Sequence, residues 1–382
     1  MSVACCLLSF FYLCKKYKEL KKNILICPLN WGLGHATRCV PIIKTLLELG
    51  HNPIIAADKN PLAFLQKEFP NLEYIKLPGF EPTYSRHNSQ IFKLLKSIPN
   101  ALVNFKNEHK EIEKIVKNHK IDIIISDNRF GCWSKKAHSI YITHQVNIQA
   151  PKFFKWASPL VNQLHKNYIK KYNELWIPDI ENGHSLSGVL SHPSNIKIKT
   201  EYIGLLSRFS SEIKNKIKSI DYLTILSGPE PQRTIFEDII IKQAKEVDKT
   251  IVILRAKPSE NELPNNIPNN VTIFNHVDDD TFADLVAKSN KIICRGGYSS
   301  LMDLINLNRN AYLVPTPGQT EQEYLAKHLT KEGLFNYCKQ KDFKLKNVNI
   351  PNIEIKNHFK NKGNNIKDII KETLLIQQTP QE

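Results

Sequence analysis

At 382 residues the chain is long enough for two domains of ordinary size. A 41% hydrophobic content with 17 Phe, 13 Tyr and 4 Trp excludes a disordered chain. The net charge of +16 invites an anionic partner, yet only 8 of the 53 basic residues are Arg. That excess is a Lys-rich composition rather than a phosphate-reading surface, so nucleic acid is not expected as a partner.

Val3 to Cys14 is an apolar run followed by Lys15, Lys16, Lys18, Lys21 and Lys22. Twelve residues are too few to span a bilayer, and the charge follows the apolar run, the reverse of a secretory signal. Residues 1–22 are therefore read as an upstream start-site extension, an interfacial anchor or a short amphipathic helix. The eight cysteines form no Cys-x-x-Cys pair and the histidines no zinc spacing, which points to a reducing, cytoplasmic setting and no metal.

From Asn23 onward, strand-like and helix-like patterns alternate. Strands are expected at Asn23–Asn30, Pro53–Ala57, Leu72–Leu77, Ile121–Ser126, Ile140–Thr143 and Leu175–Pro178. Helices are expected at Ala36–Leu49, Ile91–Lys117 and Phe154–Tyr172. Such alternation predicts an α/β fold with a parallel, doubly wound sheet. The first turn, Trp31-Gly32-Leu33-Gly34-His35, has a dinucleotide fingerprint as its rival reading, with Asp58 as the ribose acid. That fingerprint wants a third glycine where this chain has Thr37, so NAD and FAD are disfavoured. Asp127, Asn128 and Arg129 follow the fourth strand, and His144 and Gln145 the fifth, all at the carboxyl edge where open α/β sheets bind ligands.

A polar loop at Glu181–Ser194 precedes a second α/β half with strands at Tyr222–Leu226, Ile251–Arg255 and Val271–Phe274. Asp278-Asp279-Asp280 looks superficially like a metal site. It directly precedes the helical run Phe282–Val286, where acidic residues favour a helix start. The most informative stretch is Ile292–Leu304, a buried strand, then Arg295-Gly296-Gly297, then a helix opening with Tyr298-Ser299-Ser300 and carrying Asp303. Glycines allow close backbone approach, and the unpaired amides of a helix start attract phosphate. Asp303 stands one turn on, within reach of a ribose. A second strand, Ala311–Pro315, leads to Gln319-Thr320-Glu321-Gln322. Lys341–Asn365 is polar and poorly patterned, and Ile366–Ile376 is helix-like.

Arg295 to Gln322 resembles the donor-binding half of MurG-like glycosyltransferases, GT-B enzymes that use UDP-sugars. The resemblance implies two Rossmann-like domains facing across a cleft: an acceptor-side domain at 23–200 and a nucleotide-sugar domain at 201–345, with a polar tail and helix at 346–382. It places the diphosphate on Arg295, Gly296, Gly297, Tyr298, Ser299 and Ser300, the ribose on Asp303, where the family usually has Glu, and the sugar on Gln319, Glu321 and Gln322. Ile203–Arg208 is similar to the family's crossing between domains, though without its Pro, and assigns Arg208 to the donor phosphates. Ser227, Gly228 and Arg233 stand in for a glycine-rich donor loop in which this chain has prolines, and His276 and Val277 stand where main chain reads the uracil.

By the same resemblance Gly32, Gly34, Asn128, Arg129 and His144 face the acceptor. His35, in a loop that is richer in glycine in the family, becomes the first candidate for the base that deprotonates the acceptor hydroxyl. Asp127 is the alternative base or a group orienting the acceptor. The implied reaction is an inverting hexosyl or N-acetylhexosaminyl transfer from a UDP-sugar to a glycan, lipid-linked or small-molecule acceptor, without cofactor or metal. A UDP-sugar epimerase or hydrolase of the same fold, or a non-catalytic UDP-sugar-binding subunit, are the alternatives.

Overall fold

The computed structural model describes residues 21–79, 90–149, 156, 158–192, 196–209, 216–258, 260–359 and 365–376. The amino-terminal apolar run and its first lysines lie outside the described residues.

The first sheet contains β1 (Asn23–Pro28), β2 (Asn52–Ala57), β3 (Glu73–Lys76), β4 (Ile123–Asp127), β5 (His138–Ile142), β6 (Glu174–Ile177) and β7 (Lys199–Tyr202), in the order β3-β2-β1-β4-β5-β6-β7. Every pairing is parallel. A parallel sheet is covered on both faces, which is why β1 and β4 are near-continuous apolar runs rather than alternating ones. The covering helices are α1 (Gly34–Glu48), α2 (Lys59–Glu68), α3 (Gln90–Asn118) and α4 (Ser158–Ile169). α1 turns Cys39, Val40, Ile42, Ile43 and Leu46 into the core. Burying those four aliphatic side chains contributes roughly 6–12 kcal/mol before chain entropy is counted.

The second sheet is again wholly parallel, with β8 (Ile220–Ile225), β9 (Ile251–Leu254), β10 (Val271–Phe274), β11 (Ser289–Cys294), β12 (Tyr312–Leu313) and β13 (Asn336–Tyr337) in the order β10-β9-β8-β11-β12-β13. Its helices are α5 (Gln232–Ala244), α6 (Asp279–Lys288), α7 (Tyr298–Asn306) and α8 (Thr320–Lys331). Asp278 caps α6 by accepting from the Thr281 amide at 2.7 Å, the helix-start role read for the acidic triplet. Both sheets thus reverse strand order beside their first strand, and the two crevices face one another.

Two boundaries differ from expectation. The break at residue 200 falls inside β7, whose Thr200, Glu201 and Tyr202 continue the first sheet beside β6. Past 341 the chain is not a loose tail: Phe343, Leu345 and Val348 are buried, and Phe343 packs edge-on against Phe236 of α5. These side chains stand in or directly after short 3-10 turns, so they show neither the helical nor the strand period. The last helix, α9 (Ile366–Ile376), folds back onto the first domain, where Lys367 pairs with Glu48 of α1 and Thr373 donates to Glu174 of β6.

Candidate functional site

On the first domain the site is built where β1 and β4 lie side by side. Pro28 pairs with Asp127, so the helix that follows β1 begins beside the last residue of β4. His35 stands in the first turn of α1 and Arg38 three residues later, on the same helix face. Arg38 grips Asp127 with two parallel bonds, Nε to Oδ2 at 2.5 Å and Nη2 to Oδ1. The same guanidinium lies 2.9 Å from His35 Nδ1 and 3.3 Å from His144 Nδ1. His35 Nδ1 is also 3.2 Å from Asp127 Oδ1.

Burial raises the Asp127 carboxyl, but Arg38 and His35 override it and hold the group down to about 2. Asp127 is thus a permanent carboxylate, fully buried and shared between a guanidinium and an imidazole. A carboxylate held this low is a poor proton acceptor at pH 7, and it stands within reach of His35 Nδ1, where it can orient the ring. Burial and the Arg38 charge push His35 below its ordinary value, so it is neutral at pH 7. Arg38 was missed in the sequence; His35-x-x-Arg38 on a predicted helix was the signal available.

The remaining first-domain candidates separate. Asn128, at a positive φ of 59°, accepts from the Tyr141 hydroxyl at 2.9 Å. Arg129 turns inward and pairs with Glu108 while donating to the Leu77 and Pro78 carbonyls. It is 2% exposed, so its expected acceptor-side role is corrected to an internal tie between β4 and α3. Gly34 sits so close to Ser299 that an added Cβ would lie 3.0 Å from that hydroxyl.

On the second domain, Gly296 takes φ +75°, a region that an L side chain resists, and so turns β11 into α7. Gly297 is the N-cap and offers no side-chain oxygen to the first amides of α7. Arg295 does not share this edge. It is fully buried, donates to Gln340, Val314 and Gln232, and lies 4.3 Å from the Phe236 ring centroid. Burial lowers it to about 9. Its expected phosphate contact is corrected to support of the turn from behind. Asp303 accepts from Ser207 Oγ at 2.8 Å and pairs with Arg208 at 3.4 Å. Burial raises its carboxyl to about 6 against the pull of Arg208 and Ser207. Arg208 is itself shared with Asp279 at 2.7 Å and stacked near Phe209 and Phe282.

Among the other donor-side candidates, Gly228 takes φ +89°, and Arg233 is held by Glu230 and by the carbonyls of Arg255 and Ala256. His276 and Val277 follow β10 at half-buried positions. Gln319 is the N-cap of α8, and Gln322 spends its carbonyl on the Thr316 amide, bracing the loop before α8.

The two edges touch. Tyr298 stacks on His144 with ring centroids 3.7 Å apart and donates to the Pro178 carbonyl at 2.6 Å. Glu321 lies 2.7 Å from His144 Nε2, and Ser299 donates to the Gly34 carbonyl at 2.7 Å. A second contact lies further along the cleft, where Asp179 gathers the amides of Ile180, Leu186 and Ser187. The loop so ordered accepts from α8 at one point and donates to it at another, through His328 and Tyr324.

Residues 223–372 match the model of the glycosyltransferase family 28 C-terminal domain. An uncharacterised glycosyltransferase from Methanosarcina mazei is 25% identical over 335 residues, covering 82% of this chain and 84% of that protein. Among solved structures, the glycotransferase of kitacinnamycin aligns with TM-score 0.63 at 13% identity, covering 93% of this chain and 99% of that one. MurG of Acinetobacter baumannii aligns with TM-score 0.51 at 14% identity, covering 94% and 100%. At these identities the structural likeness speaks for the fold.

Proposed function

We propose that this chain, which has the GT-B fold and matches the glycosyltransferase family 28 C-terminal domain over residues 223–372, is a MurG-like glycosyltransferase that transfers a hexose or N-acetylhexosamine from a UDP-sugar to a hydroxyl acceptor with inversion. The observation that carries this reading is the pairing of two unlike edges: a neutral imidazole backed by a buried carboxylate faces an uncapped helix start with a carboxyl one turn behind it.

In this reading the diphosphate lies on the first amides of α7, whose partial positive charge stabilises the leaving group as the glycosidic bond breaks. Ser299 and Ser300 supply hydroxyls there, and Asp303 accepts the ribose hydroxyls. Glu321 takes a hydroxyl of the transferred sugar in exchange for His144. His35 Nε2 accepts the acceptor proton while Asp127 steadies the imidazolium that forms. Closing the domains excludes water and limits hydrolysis of the donor.

The localisation we infer is cytoplasmic, with peripheral contact to the inner membrane face. No helix among the described residues is long and apolar enough to cross a membrane. Support for surface contact comes from Trp156, Leu160 and Leu164, apolar side chains left exposed on and just before α4. Co-sedimentation with anionic vesicles checks this part.

The test of the main reading is metal-free incubation with UDP-GlcNAc, UDP-glucose and UDP-galactose, with and without pooled hydroxyl acceptors, scored for UDP release. Release that needs an acceptor supports transfer. Release or epimerisation without one assigns the site to the hydrolase or epimerase chemistry instead, and binding without turnover assigns it to a non-catalytic subunit.

A further inference from the structure

The two contacts of His35 Nδ1 are incompatible with one another in a neutral ring. Arg38 Nη2 lies 2.9 Å from that nitrogen and Asp127 Oδ1 lies 3.2 Å from it. A guanidinium only donates, so the Arg38 contact needs a bare Nδ1 and leaves the ring proton on Nε2. A carboxylate only accepts, so the Asp127 contact needs Nδ1–H and leaves Nε2 bare. Only the second form presents a base to an acceptor hydroxyl. Of the two contacts the one to Arg38 is the shorter here.

We propose that Arg38 is a positioning residue that sets the tautomer of His35: seated on Nδ1 it keeps the proton on Nε2, and on moving toward His144 it yields Nδ1 to Asp127 and frees Nε2 as the base. This rests on the reading of His35 as the base. The exchange balances through solvent, one proton leaving Nε2 and one arriving at Nδ1, so the charge of the site is unchanged. Arg38 has a direction in which to move, because its Nη1 is 3.3 Å from His144 Nδ1, a contact with room to shorten. His144 in turn is placed by the second domain, through the ring stack with Tyr298 and the 2.7 Å contact with Glu321. The path from the donor side to the base is thus a run of direct contacts, Glu321 and Tyr298 to His144, His144 to Arg38, Arg38 to His35. With the domains already in contact and Glu321 on His144, His35 is held in its unreactive form. The base is armed when Glu321 leaves His144 for the donor sugar and His144 draws Arg38, so an active base and an empty donor site do not coexist.

The test uses the full chain labelled with 15N-histidine, without substrate, reading both ring nitrogens of His35 at pH 7.5. The His35 signals are those lost in His35→Gln. The wild-type ring is expected to show a pyridine-type Nδ1 and a pyrrole-type Nε2. Arg38→Lys keeps a cation beside Asp127 but has no fork to reach Nδ1 as well, and it is expected to reverse the two types. A wild-type ring already protonated at Nδ1 overturns the proposal with no variant needed. So does an Arg38→Lys protein that folds and keeps the wild-type pattern. Failure of the base reading shows separately, as full transfer activity in His35→Ala.

Discussion

The first domain meets the cleft with buried titratable side chains, a neutral His35 beside the ion pair of Arg38 and Asp127, whereas the second meets it with main chain, the turn at Gly296 and the uncapped start of α7. Both edges hang on parallel sheets with the same reversal of strand order. The fold therefore supplies the place twice, and the residues decide what each place does. A proton acceptor needs a titratable group tuned by its surroundings, and the first edge is full of such tuning. A diphosphate needs fixed donors at the right spacing, and backbone amides give these without titrating.

That division can be broken by substitution. If the first edge does the chemistry, His35→Ala lowers acceptor-dependent UDP release by about 10²- to 10⁴-fold while UDP affinity stays as in the parent. Equal losses in both would merge the two roles. If the second edge holds the nucleotide, Asp303→Ala weakens UDP binding by about ten- to a hundredfold, the worth of a hydrogen bond to a charged group. Binding that survives Asp303→Ala would remove the carboxyl from the ribose site.

The comparison sharpens with pH. The Asp303 carboxyl is raised to about 6, so its neutral form prevails below that value and the carboxylate above it. Its stability contribution runs the other way from its binding role: it is present below the unfolded value and lost as pH rises through about 6. Affinity for UDP-GlcNAc, whose diphosphate diester does not titrate there, should fall by up to about tenfold from pH 7.5 to 5. Asp303→Asn should abolish that dependence, and a slope unchanged by it would place the titrating group elsewhere.

Arg129 is the control for reading a position as a role. It follows Asp127 by two residues at the same strand end, yet it points inward to Glu108. Arg129→Ala should cost about 3–5 kcal/mol of stability by leaving that carboxylate buried and unpaired, seen in chemical denaturation. The KM of the folded fraction should be unchanged; a raised KM for acceptor would return Arg129 to the site.

The same residues show how far the sequence could be read. Apolar runs such as Ile24–Cys27 and Ile123–Ile125, separated by helical periods, are enough to foresee two parallel sheets, because burial on both faces leaves a mark in composition. The turn before α7 is legible because glycine and a helix start carry their function in the main chain. Side-chain direction is not legible in that way. Arg295 and Arg129 stand at strand ends where ligands bind, and both turn into the core, since whether an Arg faces a ligand or a carbonyl is decided by neighbours distant in sequence, here Gln340 and Glu108. Arg38 escaped notice for the converse reason, as a charged residue in a helix whose partners, Asp127 and His144, lie 89 and 106 residues away.

The most direct test of the central claim is calorimetric titration of the purified chain with UDP at pH 7.5, without added metal, in the parent, Asp303→Ala and His35→Ala, with NAD as the competing ligand. The account predicts UDP binding in the parent and in His35→Ala, loss of at least about tenfold in Asp303→Ala, and silence with NAD. Binding of NAD with no response to UDP would contradict it and move the nucleotide site to the turn at Gly32 and Gly34.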